Sequence, residues 1–293
     1  MAGSDVFASA SITPEEAEAN RRYLQGLREK YAWTLKLRPA ELIDFAGRLT
    51  WPVDRRRVVA TITDTLLYMD PFTHGGMTVV RDQRYDQEAE EHLKELVKPG
   101  SRCLDIGANE GILSALMARL SGDNGYVACV EPQSRLQDII RINVRLNSSG
   151  GFRLYQNVFG GPPGQEVEIA LFPLQNTGST GIHRTPRMAK AKERVVFVDP
   201  AIVFHGAPES RFDVVKVDVE GHEDAVVESL RPFLREGRVG TLLLEYHDFI
   251  LRGRSVEPES IEIALKDGGM QKVAGPEPTT DSFTRLVVYH QAR

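Results

Sequence analysis

A glycine-rich turn is the segment of this sequence best suited to bind a ligand. The turn runs from Asp105 to Gly111, between an apolar run that ends at Leu104 and another that begins at Ile112. A buried strand, a glycine turn and a helix, in this order, present backbone N–H groups and a helix N-terminus to a ligand. The acid two residues before the first glycine, Asp105, indicates that the ligand also carries a cation or hydroxyls at that point.

The spacing of the glycines separates two classes of ligand. The dinucleotide-binding pattern would place its glycines at Gly107, Asn109 and Ile112, so two of the three positions fail. S-adenosylmethionine fits better, because Asp105 can hold the ammonium of its methionine moiety and glycines let the backbone come close to it. We therefore predict that the methionine end is held by Asp105, Gly107, Asn109 and Gly111.

Two polar residues follow the next two predicted strands. Glu131, before Pro132, stands at the end of the second strand, where one carboxylate can accept hydrogen bonds from both ribose hydroxyls. Its alternative role is to cap the helix that follows. Asn157 comes after the third strand, where its amide would face the adenine or would serve as a turn residue. We predict that both residues bind the cofactor.

Polar residues also gather at the ends of the fourth and fifth predicted strands. Methyl transfer needs reactants held in line, and an unactivated alcohol needs a base as it attacks. Asp218 ends the fourth strand on the same face as Lys216, and Glu245 and His247 end the fifth. We predict Asp218, Glu245 and His247 as the catalytic residues, with His247 as general base because histidine alone titrates near neutrality.

The acceptor is expected to meet two further segments. One is the polar stretch that begins at Asn176, which supplies amides and hydroxyls suited to a polar acceptor or to closing over the cofactor. The other follows the fourth strand, although its acids also suit a helix N-terminus and its histidine suits a surface cap. The predicted substrate-binding residues are Asn176, Ser179, Glu220 and His222. No convincing set of metal ligands is present, and we predict no metal.

The elements that must position these residues alternate between strand and helix from residue 86 onwards. Near-continuous apolar strands in such an alternation indicate a parallel sheet covered on both faces. The last two predicted strands, at 270–273 and 283–290, form a hairpin. We therefore predict an α/β domain over residues 81–293, with a mostly parallel seven-stranded sheet, an antiparallel C-terminal hairpin and an insert at 160–200.

Residues 1–80 are predicted to form an N-terminal extension. Pro14 opens one helix behind the capping residue Thr13, and Pro39 opens a second helical run. Short strands and turns follow over 58–80, with the segment from His74 to Gly76 among the turns. The helices cannot bury their apolar stripes alone, so they pack on the main domain or, as the alternative, on a second subunit in a homo-oligomer.

Composition narrows the class of protein. The 293 residues are 41% hydrophobic and 26% charged, as in an ordinary globular enzyme, and the net charge of −5 argues against nucleic acid as the main partner. No segment resembles a signal peptide or a membrane span. The two cysteines, Cys103 and Cys129, fall in apolar runs and lack metal-ligand spacing. We therefore expect a cytoplasmic protein without a membrane or nucleic-acid partner.

Four segments together resemble the FkbM-type S-adenosylmethionine-dependent methyltransferases: D-I-G-A-N-E-G at 105–111, E-P at 131–132, N-T-G-S-T at 176–180 and K-V-D-V-E-G-H-E at 216–223. The resemblance spans about residues 80 to 250. It implies a class I (Rossmann-like) fold, S-adenosylmethionine as donor, and methylation commonly at oxygen on natural products or sugars. The family often has tyrosine-glutamate just upstream of the cofactor domain, whereas Tyr85 is followed here by Asp86.

The sequence therefore predicts methyl transfer from S-adenosylmethionine to a hydroxyl of a small molecule. Two alternatives stay open: N-methylation of a small-molecule amine, and a non-catalytic cofactor-binding protein that acts through its N-terminal helices as an interaction module. The sequence does not identify the acceptor.

Overall fold

The computed structural model describes residues 12–33, 55–172, 174–183, 191–277 and 284–292. The strands among them are β1 Arg57–Ala60, β2 Leu66–Met69, β3 Arg102–Ile106, β4 Tyr126–Val130, β5 Gly151–Tyr155, β6 Glu166–Leu171, β7 Ala191–Val196, β8 Phe212–Val217, β9 Val239–Tyr246, β10 Met270–Ala274 and β11 Arg285–Gln291. The α-helices are α1 Pro14–Lys30, α2 His74–Asp82, α3 Gln87–Leu96, α4 Ile112–Ser121, α5 Gln137–Arg145, α6 Pro200–His205, α7 Glu223–Arg235, α8 Asp248–Gly253 and α9 Pro258–Asp267.

Seven of these strands form the central sheet, in the order β10-β11-β9-β8-β3-β4-β5. The pairs from β9 to β5 are parallel, whereas β11 pairs antiparallel with both β9 and β10. The predicted class I fold, a mostly parallel seven-stranded sheet with an antiparallel C-terminal hairpin, is confirmed. The order reverses between β3 and β8, and ligands of such sheets bind outside the carboxyl ends of the strands at this point.

Helices cover both faces of the sheet, which explains why its inner strands lack polar alternation. All five residues of β4 are buried, and successive residues of β3 contribute to two different apolar clusters. Leu104 packs in the cluster that contains α7, and Cys103 packs in the cluster that contains α4. A strand with a helix layer on each side must be apolar at every position.

The N-terminal region packs on the same chain. Leu24 of α1 is fully buried with Val59 and Leu67 of the β1–β2 hairpin, in a cluster that also contains Ile112 and Ala115 of α4. The stripe of α1 is therefore covered without a second subunit. The helical run predicted after Pro39 lies outside the described residues.

The prediction of a turn at His74–Gly76 was wrong, because these residues begin α2. The Thr73 hydroxyl oxygen accepts a hydrogen bond from the Gly76 amide (3.0 Å) and caps the helix. A Cβ atom at Gly76 would lie 1.8 Å from the carbonyl oxygen of Asp70. The glycine permits a close approach between helix and loop, and sequence analysis mistook it for a turn signal.

The insert between β5 and α6 contains an antiparallel hairpin of β6 and β7, with the segment 174–183 between them. Val158 and Phe197 form a parallel bridge that attaches the hairpin to the main domain. No helix in the described part of the chain is long and apolar enough to cross a membrane.

Candidate functional site

The glycine turn lies at the reversal point of the sheet, beside the end of β8. Gly107 has φ +84°, and a Cβ there would lie 1.8 Å from the backbone oxygen of Asp218. Gly111 also has a positive φ (+72°) and precedes the first turn of α4. Both positions need glycine, for the left-handed backbone and, at Gly107, for contact between neighbouring strand ends.

A cavity of about 540 Å³ opens over this turn. The turn, the ends of β4 and β8, Glu245 of β9, the segment 176–182 and the N-terminal region all contribute to its walls. Of the thirteen predicted site residues, the walls contain all except Gly111 and His247; they are Asp105, Gly107, Asn109, Glu131, Asn157, Asn176, Ser179, Asp218, Glu220, His222 and Glu245.

Glu131 is 3% exposed and stabilises the glycine turn directly. Its Oε2 accepts a hydrogen bond from the Asn109 amide (2.8 Å), and its Oε1 accepts one from the Gln133 amide (3.0 Å). Burial raises the pKa of Glu131, although these backbone hydrogen bonds oppose the rise. Each carboxylate oxygen can accept more than one hydrogen bond, so the group retains capacity for ribose hydroxyls at the cavity wall.

Asp105 is buried at the end of β3. One carboxylate oxygen accepts a hydrogen bond from the Ser114 hydroxyl (2.5 Å), and the other lies 3.5 Å from the Lys216 ammonium. It faces the cavity beside the glycine turn. The carboxylates of Asp105 and Glu131 in this wall are the kind of groups that can bind an ammonium group and ribose hydroxyls.

The segment 174–183 folds against the glycine turn. The Thr177 hydroxyl donates a hydrogen bond to Asn109 Oδ1 (2.7 Å), and Gln133 Nε2 donates one to the Thr177 carbonyl (3.1 Å). Thr177 is only 4% exposed. Asn176 and Ser179, which were predicted to contact the acceptor, hydrogen-bond to each other (2.8 Å) at the cavity wall. Thr177 therefore attaches the segment 174–183 to the glycine turn.

Asn157 lies two residues beyond the end of β5. Its side-chain amide donates a hydrogen bond to the carbonyl oxygen of Val196 (3.0 Å), which ties β7 to the cavity wall. The predicted contact with adenine stays a prediction.

His222 is buried and also attaches the insert. Its Nε2 lies 2.6 Å from the Gly160 carbonyl and its Nδ1 lies 3.0 Å from Nε2 of His183. Because a carbonyl oxygen can only accept, Nε2 carries the hydrogen, and Nδ1 accepts from His183. Burial lowers the pKa of both rings, that of His183 to about 4. Both are therefore neutral near pH 7, and the surface-cap alternative for His222 does not fit a residue that is 7% exposed.

Asp218 and Glu245, at the ends of β8 and β9, both line the cavity. The charge of Asp218 and then burial raise the pKa of Glu245 to about 8, while His247 and Lys216 oppose the rise. Lys216 lies 3.5 Å from Asp218 and 3.5 Å from Asp105, and these charges raise its pKa despite its burial. Glu245 is thus a carboxyl group whose pKa lies well above its ordinary value.

His247 lies behind this wall. Its Nδ1 is 2.8 Å from Glu223 Oε1, and its Nε2 is 3.4 Å from Glu220 and 4.0 Å from Asp218. Burial lowers its pKa, but the hydrogen bond to Glu223 and the neighbouring acids outweigh this and raise it to about 9. A ring that is already protonated at neutral pH has no site for a proton, so this environment disfavours His247 as general base.

One group of side chains in the described ranges has the composition of a cation site. Asp218, Glu220 and His247 have potential ligand atoms within 4.8 Å of one another. A protonated His247 supplies a positive charge at this place. The arrangement therefore does not require a metal to balance the two carboxylates.

The cavity wall also contains residues upstream of the glycine turn that were not predicted as site residues. His74, Gly75, Tyr85 and Asp86 all line the cavity. Burial raises the pKa of Tyr85, so its hydroxyl stays neutral. The Tyr85-Asp86 pair stands where the family often has tyrosine-glutamate. This similarity could have predicted that the segment lines the cavity.

The family model described as the methyltransferase FkbM domain matches residues 105–271. No curated protein matches the sequence. Among solved structures, a putative rRNA methylase from Clostridium thermocellum is 11% identical, with 70% of this chain and 94% of that chain covered and a TM-score of 0.46.

Two further solved structures contain S-adenosylmethionine. The Aeropyrum pernix fibrillarin is 17% identical, with 80% of this chain and 82% of that chain covered and a TM-score of 0.43. A putative tRNA (m1A22) methyltransferase of Streptococcus pneumoniae is 14% identical, with coverages of 71% and 73% and a TM-score of 0.41. The match of the family model covers more than half of the chain and contains the glycine turn, Glu131 and the end of β8. The chain belongs to the FkbM family of methyltransferases, and S-adenosylmethionine is its cofactor.

Proposed function

We propose that this enzyme methylates a hydroxyl group of a small molecule, with Glu245 as the general base. The observation that carries this proposal is the position of Glu245 in the cavity wall, where Asp218 and burial raise its pKa to about 8. An ordinary carboxylate is too weak a base to assist an alcohol near neutral pH. Catalysis by proton transfer is most efficient when the pKa of the base lies near the working pH.

The cavity supports a small acceptor. Its volume of about 540 Å³ suits the donor and a compact second substrate. Its acceptor end contains the carboxylates of Asp86, Asp218, Glu220 and Glu245. Such a wall repels phosphate groups and favours hydroxyl-rich or cationic molecules. A sugar-like or natural-product hydroxyl, as implied by the family resemblance, agrees with this charge.

Different residues of this chain bind the donor and accept the proton of the acceptor. S-adenosylmethionine supplies a methyl carbon on a positively charged sulfur, which the acceptor oxygen attacks as the carbon–sulfur bond breaks. Asp105 and the glycine turn hold the methionine end, and Glu131 holds the ribose. Glu245 takes the proton of the attacking hydroxyl, and Asp218 keeps Glu245 basic enough to do so. Fixing both reactants in one cavity supplies the orientation that methyl transfer needs.

N-methylation is the second candidate, because the same four carboxylates would also bind a protonated amine. A neutral amine attacks without a strong base, so its methylation should not depend on Glu245. A non-catalytic cofactor-binding protein would show no product with any acceptor.

The test uses a panel of hydroxylated and amine-bearing small molecules, with release of S-adenosylhomocysteine as the readout. For the best acceptor, nuclear magnetic resonance locates the new methyl group, and kcat is measured from pH 6 to 10. We expect an oxygen-bound methyl and a rate that rises as Glu245 loses its proton, at or below about pH 8, and is level above it. We expect E245Q to lower kcat at least about 100-fold while it still binds the donor. A nitrogen-bound methyl with a flat profile above neutrality would overturn the proposal.

A further inference from the structure

Lys216 is a buried cation shared by two carboxylates of different function. Its side chain is 4% exposed, and its ammonium lies 3.5 Å from Asp105 Oδ1 and 3.5 Å from Asp218 Oδ2. Lys216 of β8 is paired in register with Asp105 of β3 and with Leu243 of β9. One ammonium group therefore connects the donor side of the cavity with its acceptor side.

Packing alone does not explain a lysine at this position. Val214, which lies on the same face of β8 as Lys216, is buried and apolar. Burying a charge costs free energy unless the charge is well paired. Both separations of 3.5 Å exceed the 2.7–2.9 Å, roughly, of a charge-assisted hydrogen bond. The ammonium thus stands midway between the two acids and can move towards either of them.

Binding of the donor changes the amount of positive charge beside each of these two acids. The ammonium of the donor, when it binds Asp105 as proposed above, adds a second positive charge to that carboxylate. Like charges repel strongly in a cavity of low dielectric constant, so Lys216 should then move towards Asp218. That movement places more positive charge beside Glu245, which Asp218 and Lys216 influence in opposite directions.

We propose that Lys216 is a positioning residue that couples the donor site to the acceptor site, because it transmits the charge of the bound donor to Asp218 and Glu245. This inference rests on the roles of Asp105 and Glu245 in the proposed function. The charged and titratable groups that face Lys216 are Asp105, Asp218, Glu245 and Tyr85, and Glu245 is also influenced by His247 and Asp86.

The coupling has a consequence that needs no acceptor. If donor binding brings positive charge closer to Glu245, binding should release protons from Glu245 at pH values near 8. S-adenosylhomocysteine is the right probe, because it carries the ammonium group but lacks the charged sulfur. Any effect of the sulfonium on Glu245 is therefore absent.

The experiment is calorimetric titration of the protein with S-adenosylhomocysteine at pH 8, in buffers of different ionisation enthalpy. The difference between wild type and E245Q gives the protons released by Glu245, free of the contribution of the ligand's own amino group. We expect a release of roughly 0.2 to 0.5 proton. The same difference between K216M and the double variant K216M/E245Q should be near zero.

K216R is the matched control, because it keeps the positive charge; the difference between K216R and K216R/E245Q should retain most of the release. Circular dichroism shows which variants fold, and K216Q replaces K216M if that variant does not. Equal release with and without the Lys216 charge, or no Glu245-dependent release in the wild type, would overturn the coupling. A nitrogen-bound methyl product would instead overturn the proposed function and leave this calorimetric result intact.

Discussion

The hydroxyl of Thr177 donates a 2.7 Å hydrogen bond to Asn109 Oδ1, and this contact joins the insert to the glycine turn across 68 residues of sequence. Asn109 has a positive φ of +50°, and its amide is held by Glu131. A residue in that backbone conformation persists only when its surroundings fix it. The insert, the turn and the predicted ribose carboxylate therefore form one connected unit.

Loss of the Thr177 hydroxyl should weaken donor binding. In T177V the methyl groups preserve packing, but Asn109 Oδ1 loses its partner, which costs about 1 kcal/mol. We expect the Kd for S-adenosylmethionine, measured by calorimetry, to rise about five-fold. S179A is the control, because the Ser179 hydroxyl is hydrogen-bonded to Asn176 and not to the glycine turn within the described residues. Equal effects of T177V and S179A would show that donor binding does not depend on the hydrogen bond from Thr177 to Asn109.

Glu131 is expected to dominate ribose recognition. E131Q keeps the shape of the side chain but removes the charge, and a hydrogen bond to a charged group contributes about 1.5–3 kcal/mol. Calorimetry should therefore show S-adenosylmethionine bound roughly 10- to 100-fold more weakly. E168Q, on an exposed side chain of β6, should leave the affinity unchanged. If a folded E131Q protein bound S-adenosylmethionine with unchanged affinity, Glu131 would not be a ribose-binding residue.

His247 should contribute to stability in a way that depends on pH. Its folded pKa of about 9 exceeds its ordinary value of 6.5, so its stabilisation is complete below pH 6.5 and is lost as pH rises through about 9. The shift corresponds to a contribution by His247 on the order of 3 kcal/mol to the free energy of unfolding. In urea denaturation, H247Q should differ most from wild type near pH 6 and least above pH 9.

H290Q, at an exposed position of β11, is the matched control for that series and should follow the wild type at every pH. A stability difference for H247Q that does not change with pH would mean that folding does not shift the pKa of His247. The general-base hypothesis for His247 would then regain support over Glu245.

Methyl transfer should not depend on a divalent metal. The His247 ring lies 3.4 Å from Glu220 and 4.0 Å from Asp218, and its positive charge balances these acids. Protein treated with a chelator and then desalted should keep its activity and its affinity for S-adenosylmethionine. Restoration of a lost activity by added Mn²⁺ or Zn²⁺, or binding of either ion in calorimetry, would contradict this prediction.

Much of the fold could be predicted from sequence, because strand and helix periodicity and glycine spacing are local. The glycine turn from Asp105 and the apolar runs around Cys103 and Cys129 were sufficient to predict the parallel sheet. The same local reasoning failed at Gly75 and Gly76, since the reason for those glycines is a contact with Ile112 and Asp70 that only the folded chain contains.

The sequence by itself determined the family, the donor and the residues that meet at the carboxyl ends of the strands. Only the tertiary structure decided their ionisation, because a pKa depends on charges that are distant in sequence. His247 has the side chain that titrates near neutrality when exposed, yet the hydrogen bond to buried Glu223 and the charges of the partly buried Asp218 and Glu220 raise its pKa to about 9. Glu245 has an ordinary carboxyl group, yet Asp218 and burial bring its pKa to about 8. The candidate base therefore changed from histidine to glutamate once the charges around each residue were in place.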